Sequence, residues 1–79
     1  MVKAYILVKV QVGSERDVFN KLKKMKETED VKELYGEWDI IAKVGGDKLE
    51  ELDSLISDKI RSVKEIKETS TMIVAEYKK

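Results

Sequence analysis

The N-terminal segment alternates between two kinds of position, and this predicts a β-strand. Every second residue from Val2 to Val12 is small or branched and apolar. A period of two with β-branched side chains is typical of a strand that turns one face towards a core. Tyr5 and Leu7 lie on the opposite face, between lysines. That second face is not simply polar, so we expect that something covers it as well.

Two segments repeat their apolar residues at the spacing of amphipathic helices. Ser14 is predicted as the N-cap of the first helix, and Asp47 with Glu50 forms a capping-box pattern in front of the second. The apolar stripes consist of Val18, Phe19, Leu22 and Met25 in the first helix and of Leu49, Leu52, Leu55, Ile56, Ile60 and Val63 in the second. The second stripe covers about four turns, so the second helix is predicted as the longest element.

Three further segments have the composition of strands. They are Val31–Tyr35, Asp39–Val44 and Thr71–Tyr77, and the predicted order is therefore β-α-β-β-α-β. Two split β-α-β halves of this kind build the ferredoxin-like fold, an α+β architecture with both helices on one face of a four-stranded antiparallel sheet. We expect residues 1–79 to form a single small domain.

The second face of this predicted sheet indicates self-association. Two helices cover only one face, so Tyr5, Leu7 and Ile73, or the register neighbours of Ile73, would be exposed on the other. Monomers seldom leave so large a contiguous apolar patch in contact with water. We therefore expect two copies to pack sheet against sheet about a twofold axis, as a dimeric α+β barrel.

The composition excludes several classes of function. The chain has no cysteine and no histidine, which removes disulfides, the usual zinc sites and the commonest general base, so we expect no metal and no cofactor. Sixteen basic and sixteen acidic side chains give a net charge of zero, which argues against nucleic acid as a direct partner. No segment approaches the roughly 20 apolar residues of a membrane span, and Met1–Val12 lacks the cleavage site of a signal peptide. The expected location is the cytoplasm, with no membrane partner.

Charged residues are unusually frequent in this chain. They make up 41% of it, while Gln11 and Asn20 are the only residues with side-chain amides. Proteins of hyperthermophiles show this tendency. Short acidic proteins of mesophiles share it, so a thermophilic source is one of two interpretations.

The stretch around Gly36 is the strongest candidate for a binding site. We expect a tight hairpin between the second and third strands, with Gly36 at a positive φ. Exposed backbone amides, the Asp39 carboxylate and the rings of Tyr35 and Trp38 form a set that can hold a small zwitterion. The alternative is a simple turn, in which Trp38 covers a sheet edge and Asp39 is a turn-stabilising acceptor.

Two short motifs resemble the C-terminal effector domain of the leucine-responsive/asparagine-regulator (Lrp/AsnC) family. They are Gly36–Ile41 (GEWDII) and Ile66–Thr71 (IKETST), the second in front of an apolar strand. Trp38 stands where the family usually has tyrosine, and Ile66 stands where it usually has valine. The resemblance covers essentially the whole chain and agrees with the predicted order of elements.

The resemblance implies a domain that binds small effectors, typically amino acids, and that assembles into dimers and rings of dimers. The positions that match the family's effector contacts are Tyr35, Gly36, Asp39, Thr69, Ser70 and Thr71, of which Ser70 is the weaker candidate. The alternative for the last three is a strand entry rich in β-forming residues. Family members usually carry an N-terminal helix-turn-helix, whereas this chain starts at the first effector strand. It therefore resembles the stand-alone effector domains, for which full-length Lrp/AsnC regulators are candidate partners.

Three functions are compatible with these observations. The favoured one is a non-catalytic module that senses amino acids and assembles within a transcription-regulation system. A second is an enzyme on a dimeric α+β barrel, with Asp39, Tyr35 and a lysine as candidate groups, but their spacing makes no acid–base pair. The third is a purely structural oligomerisation domain.

Overall fold

The computed structural model describes residues 1–75, which form an antiparallel four-stranded sheet with helices packed on one face. In chain order the elements are β1 (Val2–Val10), α1 (Glu15–Lys23), β2 (Thr28–Glu33), β3 (Ile40–Gly46), α2 (Leu49–Ser54), a π-helical segment (Leu55–Ile60) and β4 (Ile66–Ile73). The strands lie in the order β2-β3-β1-β4, and every neighbouring pair is antiparallel. The predicted β-α-β-β-α-β ferredoxin-like fold is confirmed.

The core lies between the helices and the sheet face that carries the even-numbered residues of β1. Ala4, Ile6 and Val8 are completely buried there, and α1 adds Val18 and Leu22. The other core residues are Val10, Val31, Ile40, Ala42, Val44, Leu52, Leu55 and Ile60. Full burial of a valine, leucine or isoleucine side chain stabilises the fold by about 1.5–3 kcal/mol relative to its exposure. The alternation that predicted β1 therefore also identified the core face correctly.

The first strand is shorter than its sequence pattern. β1 ends at Val10, and Val12 is 98% exposed although it continues the alternation. The chain leaves the sheet at Gln11, whose N–H donates to the carbonyl of Glu65 at 2.9 Å, while the N–H of Ser14 donates to the carbonyl of Gln11 at 2.9 Å. The turn hydrogen bonds, and not the side-chain pattern, end the strand.

Both edge strands begin earlier than predicted. β2 starts three residues before the predicted Val31 and ends before Tyr35, and β4 starts at Ile66 instead of Thr71. Edge strands carry charged side chains on both faces, so their bounds depend on backbone pairing, which side-chain periodicity does not reveal. The predicted continuation of the last strand to Tyr77 falls at residues 76 and 77, outside the described residues.

One of the two predicted N-caps is at its predicted position, and the other is displaced by one residue. Ser14 occupies the N-cap position of α1, but its side chain makes no capping hydrogen bond. At α2 the N-cap is Lys48 instead of Asp47, and Glu51 takes the part predicted for Glu50. An Oε1 of Glu51 accepts the N–H groups of Asp47 at 2.5 Å and of Lys48 at 3.3 Å. Because the helix starts one residue later than predicted, the residue that can reach back also shifts by one.

The second helix is α-helical only over Leu49–Ser54 and continues as a π-helix. The N–H of Arg61 donates to the carbonyl of Ile56 at 3.0 Å, which is the five-residue spacing of a π-turn. This wider turn lets Leu55 and Ile60, five positions apart, both enter the core. The two helical segments together run from Leu49 to Ile60 and form the longest element, as predicted. The π-turn was not predicted, because a stripe at spacing three and four does not reveal one.

Candidate functional site

The hairpin between β2 and β3 consists of residues 34–39. The N–H of Leu34 donates to the carbonyl of Asp39 at 2.8 Å and closes the loop. Gly36 has a φ of +150°, a conformation that residues with a Cβ rarely adopt. The hairpin and the positive φ of Gly36 are confirmed, but the predicted tightness was wrong, because β2 leaves the ladder at Glu33 and a longer loop follows.

Asp39 fastens this loop to the end of β1. Its N–H donates to the carbonyl of Val8 at 2.9 Å, and its Oδ2 accepts the backbone N–H of Val10 at 2.9 Å. The ladder between β1 and β3 ends here, and the Asp39 carboxylate accepts the hydrogen bond of the Val10 N–H in place of a backbone carbonyl. This is the contact expected of a turn-stabilising acceptor, one of the two interpretations of Asp39.

An open cleft of about 450 Å³ lies beside the hairpin. Its lining residues are Glu15, Glu33, Leu34, Tyr35, Gly36 and Asp39. The structure therefore brings together three of the predicted contact residues and places them next to two glutamates. Neither glutamate was singled out from the sequence. Glu33 directly precedes the loop in the chain, whereas only the packing of α1 against the end of β2 brings Glu15 to the hairpin.

The cleft is acidic. It is lined by three carboxylates and by no basic side chain. An Oε1 of Glu15 accepts the N–H of Gly13 at 3.1 Å, and an Oε2 of Glu33 lies 3.6 Å from Nε of Arg16. Each carboxylate has one contact and retains further acceptor sites. Such a wall is suited to a cationic group, for example an ammonium.

The backbone of the loop supplies donors next to these acceptors. Within residues 1–75, the N–H groups of Tyr35, Gly36, Glu37 and Trp38 make no hydrogen bond to another part of the chain. Exposed amides of this kind can bind an anionic group such as a carboxylate. Three acidic side chains thus lie next to a loop whose amides make no hydrogen bond within the described residues.

The threonine-containing segment lies elsewhere in the same chain. Thr69, Ser70 and Thr71 belong to β4 and pair with Val8, Leu7 and Ile6, respectively. β1 separates β4 from β3, and two strand spacings amount to roughly 10 Å. The cleft lining includes none of the three residues. Within one chain, the two groups of predicted contact residues do not form a single site.

The face of the sheet without helices carries an apolar centre. On it, Tyr5 pairs with Lys43 and Met72, and Leu7 pairs with Ile41. We call this surface the helix-free face and define it by Lys3, Tyr5, Leu7, Lys9, Ile41, Lys43, Ser70 and Met72. Tyr5 is 36% exposed and Met72 is 48% exposed. The predicted positions of Tyr5 and Leu7 on this face are confirmed.

Ile73 does not belong to the helix-free face. It pairs with Ala4, which points into the core on the side of the helices. Directly paired residues share a face, so the register places Met72 beside Tyr5 and turns Ile73 to the other side. Of the two predicted alternatives, Ile73 or its register neighbours, the register selects the neighbour Met72, since a shift of one residue in a strand exchanges the faces.

A second cleft, of about 440 Å³, lies at the opposite end of β3. It is lined by four carboxylates, those of Glu27, Asp47, Glu50 and Glu51, and two of them have partners in the fold. Glu27 binds Nζ of Lys59 at 3.0 Å, and Glu51 caps α2. Burial alone would raise the pKa of Glu27, yet the hydrogen bonds from Lys59 and from its own amide hold that pKa below the ordinary value. These contacts give Glu27 and Glu51 a structural role.

The described part of the chain contains neither a metal cluster nor a membrane-spanning helix. No group of three or more side chains among residues 1–75 is arranged to hold a metal ion. No helix in that part is long and apolar enough to cross a membrane.

Comparison with known proteins assigns the chain to a family. The sequence model of the family described as the Lrp/AsnC ligand-binding domain matches residues 3–79. The chain belongs to the Lrp/AsnC family. Among curated proteins, this Lrp/AsnC domain is 36% identical over 76 residues to the HTH-type transcriptional regulator FL11 of Pyrococcus furiosus. That match covers 96% of the chain but 50% of FL11, so the chain spans about half the length of the curated relatives it matches.

Solved structures support the same assignment. The domain is similar to FFRP-DM1, with 47% identity and a TM-score of 0.92, over 95% of this chain and 100% of that one. It shares its fold with AsnC of E. coli, with 23% identity and a TM-score of 0.89, over 96% and 52% of the two chains. It also shares its fold with the regulator NMB0573 of Neisseria meningitidis, solved as a complex with L-Met, at 19% identity and a TM-score of 0.84 over 99% and 52%. The relatives are transcription regulators, and none of these comparisons indicates a catalytic family.

Proposed function

We propose that residues 1–79 of this Lrp/AsnC protein form one domain that binds a small zwitterionic effector, such as an amino acid, and assembles through the helix-free face. The domain would act without catalysis, as a module of a cytoplasmic transcription-regulation system. The observation that carries the proposal is the hairpin cleft, where three carboxylates lie beside four backbone amides without a hydrogen-bond partner in residues 1–75.

The chemistry of the cleft matches the two charged ends of an amino acid. Glu33 and Asp39 retain acceptor sites for an ammonium, and charge-assisted hydrogen bonds of this kind are the strong ones. The amides around Gly36 are donors for a carboxylate. The ring of Tyr35, which is fully exposed in the single chain, offers an apolar wall for a side chain. The L-Met complex of NMB0573 supports the same class of effector.

The arrangement of the contact residues supports an assembled site. Thr69 and Thr71 lie across β1 from the hairpin of their own chain, so they would contact an effector that is held by the hairpin of a second copy. Sheet-to-sheet pairing would bury Tyr5, Leu7 and Met72, which are partly exposed in the single chain. Dimers would then associate further, with each other or with full-length regulators of the family.

A purely structural oligomerisation domain is the second candidate. The hydrogen bond from Val10 N–H to the Asp39 carboxylate favours it, because a residue with this contact has a structural purpose without any ligand. In that case the hairpin would stabilise the fold and the assembly, and no amino acid would bind in the cleft.

A thermal-shift screen against the standard amino acids tests the proposal, combined with light scattering for the mass in solution. A ligand at 100 times its dissociation constant adds about 2.7 kcal/mol to the stability of the state that binds it. We expect at least one amino acid to raise the melting temperature and the mass to be that of a dimer or of a multiple of one.

The Thr71→Val variant tests whether the hydroxyl of Thr71 contacts the effector. Valine keeps the β-branched shape and removes the hydroxyl, so the fold should persist while the ligand-induced shift decreases. A chain that is assembled but shows no thermal shift with any amino acid would favour the structural candidate. A monomer would contradict the assembly through the helix-free face.

A further inference from the structure

The last residues of β1 contact both segments that are candidates for effector binding. Val8 accepts the N–H of Asp39, and Val10 donates to the Asp39 carboxylate, both at 2.9 Å. On the other side of β1, Val8 pairs with Thr69. The end of β1 therefore lies between the hairpin and β4. Within residues 1–75, β1 is the only strand between β3 and β4.

The side chain of Lys9 makes the same connection on the helix-free face. Its Nζ lies over the ring of Trp38, 5.2 Å from the ring centroid, and 3.8 Å from an Oε1 of Glu68. An ammonium within about 6 Å of an indole centroid is attracted by the negative face of the ring. One cation thus contacts an aromatic residue of the hairpin loop and an acidic residue of β4.

The regular register between β1 and β4 extends from Ala4 to Lys9 and places Glu68, the residue in front of Thr69, opposite Lys9. A β-bulge shifts the register only after Lys9, so that Val10 pairs with Ile66. Lys67 is the additional residue of this bulge. The contact between Lys9 and Glu68 therefore follows from ordinary cross-strand pairing beside the bulge.

The backbone of the loop is little restrained between its two ends. Within residues 1–75 the amides from Tyr35 to Trp38 make no hydrogen bond, and the loop is fixed at its ends by Leu34 and Asp39. Trp38 is only partly exposed although it belongs to this loop. The Lys9–Trp38 contact joins a side chain of this loop to β1.

We infer that Lys9 is a positioning residue of the hairpin cleft, which holds the ring of Trp38 against the sheet and so fixes the loop that carries Tyr35, Gly36 and Asp39. The part of this inference that concerns ligand affinity rests on the proposed function. Lys9 does not line the cleft, so its effect on a ligand would be transmitted through Trp38.

Trp38 is the only tryptophan of the chain, and its fluorescence reports the contact directly. We would compare the parent with Lys9→Met, which keeps an apolar stem but removes the cation, and with Lys9→Arg, which keeps a cation over the ring. Lys43→Met is the matched control, since Lys43 lies on the same helix-free face opposite Tyr5. Emission wavelength and acrylamide quenching are measured at one protein concentration, with light scattering as a check of the assembly.

We expect Lys9→Met to shift the emission to longer wavelength and to increase quenching, while Lys9→Arg and Lys43→Met stay close to the parent. A contact of this strength changes the balance between a held and a released ring about two- to fivefold. The affinity for an amino acid found in the thermal-shift screen should fall by a similar factor in Lys9→Met and recover in Lys9→Arg.

The outcomes separate this inference from the proposed function. If Lys9→Met leaves emission and quenching unchanged, or if Lys9→Arg alters them equally, Lys9 does not position Trp38 and the inference is wrong. If no amino acid binds to the parent, the proposed function fails, while the fluorescence comparison still decides whether Lys9 holds the loop. If an amino acid binds with equal affinity to the parent and to a Lys9→Met chain whose fluorescence has shifted, Lys9 holds the ring without positioning the cleft, and the inference is again wrong.

Discussion

The carboxylate of Asp39 accepts the backbone N–H of Val10 at 2.9 Å, so a side chain of the hairpin loop completes the hydrogen bonding at the end of β1. This contact gives the carboxylate a structural role that does not depend on any ligand. Any test of Asp39 as a ligand contact has to preserve its acceptor for Val10.

Two substitutions of Asp39 separate its structural contact from a role in binding. Asp39→Asn retains an oxygen that can accept the Val10 N–H but removes the charge that an ammonium would pair with. We expect its stability to stay near that of the parent and its affinity for an amino acid to fall roughly ten- to hundredfold, the loss of about 1.5–3 kcal/mol typical of a hydrogen bond to a charged group. Asp39→Ala should lose both stability and affinity for the amino acid. Denaturant unfolding measures the first loss and ligand titration the second. Equal affinity of the parent and Asp39→Asn would show that the charge of Asp39 makes no contact with the ligand.

The helix-free face is tested by Leu7→Glu. Leu7 is partly buried and lies next to Ile41 at the apolar centre of this face. A glutamate there would place an unpaired charge in a sheet-to-sheet contact, a change that costs several kcal/mol. We expect the dimer to dissociate at concentrations at which the parent is assembled, as measured by light scattering across a dilution series.

Leu49→Glu is the matched control for the assembly. Leu49 is 54% exposed at the start of α2, away from the helix-free face. This variant should keep the mass of the parent. If both variants dissociate, or neither does, the copies do not associate through the face that contains Leu7.

The backbone of the hairpin is tested by Gly36→Ala. A Cβ at this position would meet no atom within 4 Å, so a clash is excluded and only the φ of +150° opposes the substitution. Backbone strain of this kind costs about 1–3 kcal/mol, which denaturant unfolding at fixed protein concentration can measure. Glu37→Ala, in the same exposed loop, should stay within about 0.5 kcal/mol of the parent. An unchanged stability of Gly36→Ala would mean that the loop relaxes to a conformation open to any residue.

The ion pair between Glu27 and Lys59 predicts a dependence of stability on pH. The pKa of Glu27 is lowered in the folded chain, so the pair stabilises the fold above the unfolded value near 4.5 and loses this effect as the pH falls through the lower folded value. Lys59→Met should therefore melt a few degrees below the parent at neutral pH, and the difference should vanish in acid. Lys24→Met is the control, because Lys24 makes no ion pair within residues 1–75. A difference that persists unchanged at low pH would assign the effect to packing of the Lys59 stem.

The isolated chain should not bind duplex DNA tightly. Its net charge is zero, and the basic face of α1 is partly neutralised, since Nζ of Lys21 lies 3.4 Å from Glu65 and 3.9 Å from Asp17. We expect a dissociation constant weaker than roughly 100 μM at physiological salt, the weak end of non-specific binding. Fluorescence anisotropy over a range of salt concentrations measures this. Tight binding that weakens steeply with salt would reveal a basic surface that the contacts of α1 do not indicate.

The sequence by itself determined the fold class and the core. Alternation along β1 identified Ala4, Ile6 and Val8 as core residues, and the helical stripes identified Val18 and Leu22. Burial of apolar side chains is the main driving force of folding, and it requires apolar residues at the spacing of a strand or a helix. Gly36 indicated the hairpin for a local reason as well, because glycine readily adopts the positive φ that the turn needs. The two motifs predicted the family, which the comparisons confirm.

Only the tertiary structure decided the features that depend on pairing between distant segments. The register of β4 turned Ile73 to the helix side and brought Met72 beside Tyr5, and hydrogen bonding of the backbone, rather than side-chain pattern, set the bounds of the edge strands. The packing of α1 brought Glu15 to the hairpin, and the position of β1 between β3 and β4 separated Thr69 from Asp39. Such contacts join residues far apart in the chain, so no local periodicity records them. The geometry of the folded backbone alone determines whether they meet.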